Sequence, residues 1–228
     1  MIEEEQDFFE EEEIAQPSVF SRIFRWIIVL AVLLGFVYLS GLDHYFFYQK
    51  TPPGAKQEKM VSAIDAQTLI VPLTIFILRN DGTNGSLRTE LEVQTLVKKA
   101  SKIWEQASVE LSIKNIHVLL RTDEELEVLL DSSRLFFRGV EEFDASTMNV
   151  FLIARLRGIN GLAFGGFRAI AIADYTSVYD FRALAHEVGH ILGLDHIQNR
   201  QQLMYKGANG FELSLKEVLR ARENAIRF

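Results

Sequence analysis

The sequence predicts an α+β domain with a mixed twisted sheet, a long helix, a histidine-bearing helix and a C-terminal helix, preceded by one transmembrane helix. Three observations carry this prediction. Trp26–Leu42 runs for seventeen residues without a charge, at the short end of a bilayer span. Beyond residue 66, apolar runs that suit strands alternate with stretches of helical period. Three of the five histidines fall within the eleven residues His186–His196.

In chain order, residues 1–21 come first as an acidic tail. Eight acids stand in the first thirteen residues, and their mutual repulsion predicts disorder. Residues 22–42 are the expected anchor. Arg22 and Arg25 can snorkel outward at its start. Trp26 at one end and Tyr45 to Tyr48 at the other suit the interfacial belts. A cleaved signal peptide fits less well, because its leading region would be long and acidic and Leu39-Ser40-Gly41 is a poor cleavage site. Lysines beyond the span make the positive-inside count mixed. The two arginines are the nearest charges, so the expected orientation has the N-terminus inside and the globular domain extracytoplasmic. Residues 43–65, with Thr51-Pro52-Pro53-Gly54, read as a stalk.

The globular domain is expected over residues 66–228. The net charge of the chain is −7 and 48% of it is hydrophobic, ample for a core. Outside the tail the charges nearly balance, and the absence of a basic patch excludes a nucleic-acid partner. With no cysteine, disulfides are excluded.

Leu69–Leu78 is β-rich, with Pro72 placing it near a strand start or an edge. Thr89–Ala107 carries one apolar stripe at helical spacing, including Trp104 as a core residue. Val109 to Leu120 alternates as a strand whose phase shifts between Ile113 and Ile116, which predicts a bulge. Asp123–Leu130 is a short helix, Met148–Leu156 and Arg168–Ala173 are strands, and Ser177 or Asp180 caps the helix that carries the first two histidines. Ser214-Leu215-Lys216-Glu217 is a capping box that opens a helix to about Ile226.

The stretch from residue 186 reads H-E-V-G-H-I-L-G-L-D-H. His186 and His190 lie one helical turn apart on one face, so both imidazoles can reach one metal ion. Zn²⁺ is the ion such sites most often take. Glu187, beside the first ligand, is placed to accept a proton from a water at the metal. Gly193 can take φ > 0, end the helix and turn the chain, which frees His196 to return as a third ligand. Three protein ligands leave a position open, as in catalytic rather than structural zinc sites.

At these residues the chain resembles the metzincin zinc peptidases, whose motif is H-E-x-x-H-x-x-G-x-x-H followed by a Met-turn. Met204 follows His196 by eight residues in the run Leu203-Met204-Tyr205, a spacing and triplet similar to the matrixin branch, although Lys206 stands where a proline usually follows. The resemblance implies a metzincin-like (zincin) fold, zinc held by His186, His190 and His196, Glu187 as the catalytic base, and Met204 as an apolar floor. It also implies a protein or peptide substrate, laid along an edge strand at Leu162, Ala163 and Phe164.

The membrane is the other expected partner. Matrixins usually carry a second, structural zinc, but the remaining histidines, His44 and His117, do not supply it, so one zinc is expected. Glu142, Asp144 and Asp174 are too scattered to argue for calcium. Two other functions fit the sequence less well, a non-catalytic module braced by zinc and a membrane scaffold acting through the acidic tail. A glutamate third ligand, Glu212 or Glu217, is a rival to His196.

Overall fold

The computed structural model describes residues 67–228. The tail, the expected span at 22–42 and the stalk lie outside the described residues. Among the described residues no helix is long and apolar enough to cross a membrane.

The elements follow the order β1 (Leu69–Arg79), α1 (Glu90–Trp104), β2 (Val109–Leu120), α2 (Asp123–Asp131), α3 (Ser133–Arg138), β3 (Met148–Ile153), β4 (Gly161–Phe164), β5 (Ala169–Ala173), α4 (Asp180–Ile191) and α5 (Leu215–Ala225). The strands form one sheet in the order β2-β1-β3-β5-β4. The first four run parallel, and β4 pairs antiparallel to β5 at the edge, which makes the sheet mixed as expected.

Both faces of the sheet are covered, which explains why its strands read as near-continuous apolar runs. Leu73, Ile75, Ile77, Val150, Leu152, Ile170 and Ile172 face the core shared with α1, α4 and α5. The alternate residues Phe76, Leu78, Phe151 and Ile153 face a second core under α2 and α3. On that side β5 contributes only Ala169, Ala171 and Ala173. These small residues leave room for a ring cluster in which Phe137 meets Phe151 at 5.3 Å and Phe164 at 5.3 Å. Each fully buried ring or branched side chain contributes about 1.5–3 kcal/mol of transfer free energy.

Local signals explain most boundaries. Thr89, Thr122 and Ser214 each cap a helix through a complete capping box with Glu92, Glu125 and Glu217. The phase shift in β2 is a bulge. The register with β1 slips between Leu73 and Thr74, and Lys114 is the unpaired residue. Pro72 sits in a strand that is interior, but β3 joins β1 only from Leu73 onward. The missing N–H of Pro72 therefore falls where β1 still has a free side.

Two expectations need correction. The strand expected to reach Leu156 ends at Ile153. The cap of α4 is Tyr179, whose side chain makes no capping bond, since Asp180 already lies inside the first turn. There its carboxylate accepts from the Phe181 N–H at 2.7 Å and pairs with Arg88 at 2.9 Å.

Candidate metal centre

Helix α4 presents Leu184, Ala185 and Val188 to the core, and this anchors the face that carries His186 and His190. It ends in a Schellman motif. Gly193 has φ +81, its N–H bonds to the His190 carbonyl at 3.0 Å, and the Leu194 N–H bonds to the Gly189 carbonyl at 2.9 Å. Asn224 of α5 seals this end by donating to the Leu192 carbonyl at 2.9 Å. It also fills the space a side chain at Gly193 would need, 2.7 Å from a built Cβ.

The turn at Gly193 brings His196 back. Its Nε2 lies 3.1 Å from the Nε2 of His186 and 3.1 Å from that of His190, and the ligand atoms of all three lie within 4.8 Å of one another. A tetrahedral zinc with Zn–N of about 2.0–2.1 Å holds its nitrogens roughly 3.3 Å apart, so the donor set fits that ion. The tautomers suit it too. His186 Nδ1 meets the Leu203 carbonyl at 2.8 Å and His190 Nδ1 meets the Leu194 carbonyl at 2.9 Å. A carbonyl only accepts, so each Nδ1 carries the proton and each Nε2 offers its lone pair. Burial pushes the His186 pKa down to about 3. Burial, then His190 and Lys206, lowers that of His196. Both rings are therefore neutral at pH 7.

Glu187 lines the same cleft and is 8% exposed. Burial raises its pKa to about 7, against the opposing pull of Arg182. Gly161, the first residue of β4, makes room for it, because a Cβ there would lie 2.6 Å from Glu187 Cγ. Met204 is fully buried and packs against Gly189, where a Cβ would lie 2.5 Å from its Sδ. Trp104 lies behind both.

β4 takes the open edge of the sheet, and Leu162 and Ala163 line the cleft. Phe164 does not. Its side chain points away from that of Ala163 and packs edge-on against Phe137 in the second core, because a strand sends successive side chains to opposite faces. Glu217 is occupied by its capping box at 2.6 and 2.8 Å from Ser214, so it is no third ligand.

Of the acids weighed for calcium, Asp174 accepts from Ser86 Oγ, the Leu87 N–H and Arg88. Asp144 accepts from Ser146 and Lys114. His117 stacks on Phe76 at 5.4 Å. Among the described residues, the three clustered histidines are the one group of three or more such side chains that could hold a metal.

Sequence reading missed Arg182, one turn before His186. It is 3% exposed, and its Nη2 donates to the Leu203 carbonyl at 2.6 Å and to the Tyr205 carbonyl. It thus grips the Met-turn from both sides of Met204. Burial lowers its pKa to about 10, which leaves it charged. A charged residue at the apolar spacing of α4 was the available signal.

A mixed sheet with an antiparallel edge strand, a helix with two histidines, a glycine turn and a third histidine over a buried methionine define a zinc metallopeptidase domain of the metzincin type. The Matrixin family model matches residues 76–218, and the chain belongs to that family. None of the curated proteins matches it. Among solved structures it is similar to metalloproteinase-II from Bacteroides fragilis, at 17% identity and TM-score 0.49, over 69% of this chain and 53% of that one. This chain thus spans about half the length of that protein. It is also similar to archaemetzincin from Methanopyrus kandleri, at 17% identity and TM-score 0.42, over 72% of this chain and 97% of that one.

Proposed function

We propose that this chain is a membrane-anchored zinc endopeptidase that holds one Zn²⁺ by His186, His190 and His196 and uses Glu187 as general base and then general acid. The observation that carries the reading is the approach of His196 Nε2 to 3.1 Å from the Nε2 atoms of both His186 and His190 beside a buried carboxylate. Zinc bound there would supply a Lewis acid and bring a water's pKa to about 7. Glu187 takes the proton of the attacking water and delivers it to the leaving amine. A carboxyl whose pKa is raised to about 7 by burial suits a group that must both accept and donate near neutrality. The open edge of β4 offers backbone N–H and C=O groups to an extended peptide, and Gly161 keeps Glu187 alongside it.

The anchor rests on the uncharged run Trp26–Leu42 with its flanking arginines and aromatics, and those two arginines support an extracytoplasmic domain. Glu187→Gln tests the chemistry. Zinc content and fold should be unchanged while peptide hydrolysis falls roughly 10²–10⁴-fold. Loss of zinc together with activity would make Glu187 a ligand or a support instead. Protease treatment of sealed membranes tests the topology, and it should digest the region after Leu42 from outside and spare the acidic tail.

A further inference from the structure

The cleft carries a charge imbalance that the proposed reaction does not use. Lys206 lines it together with the three histidines, Glu187 and Arg182. Lys206 is exposed, and it has no ion-pair or hydrogen-bond partner among the described residues. Its backbone is held in place on the N-terminal side. The Tyr205 N–H bonds to the Gln202 carbonyl at 3.2 Å, and the Tyr205 carbonyl is gripped by Arg182. The chain then turns away at Gly207 with φ +81.

Arg182 adds a second positive charge from beneath. It is buried, its Nε has no hydrogen-bond partner, and its bonds run to carbonyls rather than to a carboxylate. Against these two cations the lining holds one acid, Glu187. Asp195 is exposed beside His196 but is not part of the lining. A substrate entering the cleft therefore meets net positive charge.

Building on the peptidase reading above, we infer that Lys206 selects substrates with an acidic side chain close to the scissile bond. The ammonium sits on a flexible four-carbon stem and pairs as a point charge. Glutamate and aspartate at slightly different positions can therefore satisfy it, whereas lysine or arginine is repelled. An exposed or half-exposed pair of this kind gives a preference of roughly three- to ten-fold. It should fade in about 1 M salt, where the Debye length is about 3 Å.

The test uses the full zinc-loaded chain and fluorogenic peptides that carry Glu, Gln or Lys at each position around the cut. The wild-type chain should favour Glu over Gln by roughly three- to ten-fold in kcat/KM at one or two positions, and Lys should be the poorest. Lys206→Ala should erase the Glu-over-Gln ratio, and Lys206→Glu should reverse the order of Glu and Lys. Ratios within two-fold in the wild type, or a Glu preference that survives Lys206→Ala, would overturn the inference. If no peptide is cut, the peptidase reading falls. Binding of the same peptides to the Glu187→Gln chain, read by competition anisotropy, then decides the charge preference by itself, with the same two outcomes.

Discussion

Adding one methyl group at Gly189 tests the floor of the metal centre. In Gly189→Ala the new Cβ would lie 2.5 Å from Met204 Sδ, 3.1 Å from Met204 Cε and 3.6 Å from Trp104 Cζ2. A thioether usually yields to such a clash, but Met204 and Trp104 are both 0% exposed, so the sulfur has nowhere to go without moving the Met-turn. Overpacking of this kind costs about 1–3 kcal/mol. Alanine in place of glycine inside a helix returns up to ~1 kcal/mol, so a net loss of roughly 0.5–2 kcal/mol is expected.

The background of Met204→Ala reverses the sign. That change alone costs about 2–5 kcal/mol through the cavity it leaves. With the sulfur gone, Gly189→Ala should be neutral or stabilising. Urea unfolding of the four zinc-free chains measures the cycle, with an expected coupling of about 1–3 kcal/mol. Costs that match in both backgrounds within about 0.5 kcal/mol would refute the contact. A displaced Met-turn also moves the Leu203 carbonyl that orients His186 at 2.8 Å, so zinc affinity of Gly189→Ala should fall roughly 10–100-fold.

Gly161→Ala places a Cβ 2.6 Å from Glu187 Cγ, so it should lower kcat with zinc content retained, and unchanged kcat would detach β4 from Glu187. In the pH dependence of zinc-free stability two large shifts at the site oppose each other. Glu187 is raised from 4.5 to about 7, so its contribution is complete below 4.5 and is lost as pH rises through 7. His186 is lowered from 6.5 to about 3, so its contribution is complete above 6.5 and is lost as pH falls towards 3. Between 4.5 and 6.5 the two slopes cancel, and the wild-type chain should begin its acid loss only below about 4.5. In Glu187→Gln the lowered histidines, His186 and His196, act unopposed, so thermal melts should show the loss starting near 6.5. The same onset in both chains would contradict a buried Glu187.

Much of this fold and site is local, and what is local was legible in the sequence. The capping box read at Ser214 joins residues three apart, and the structure shows the same local pattern at Thr89 and Thr122. The bulge at Lys114 shows as a shift in a period of two. His186, Gly193 and His196 fall at their places because a helical turn and a left-handed glycine are properties of a few adjacent residues. The family motif carried the same information. What failed at close range failed through competition. The Asp180 carboxylate was drawn to Arg88 and its own first turn, leaving the cap to Tyr179.

The tertiary structure alone decided which distant groups share a space. Gly161 and Gly189 look like ordinary glycines until β4 approaches Glu187 and the Met-turn approaches α4. Arg182 looks like a misplaced charge until the Leu203 and Tyr205 carbonyls arrive to receive it. Phe164 sits at the right position on the edge strand, yet strand alternation turns its ring into the second core. Lys206 was visible as a departure from the family pattern, but its place in the cleft beside the histidines was not. Sequence sets the backbone's local preferences through sterics and hydrogen bonds between near neighbours. Packing sets the close contacts and charge fields between residues far apart in the chain, and those exist only once the sheet and helices have come together.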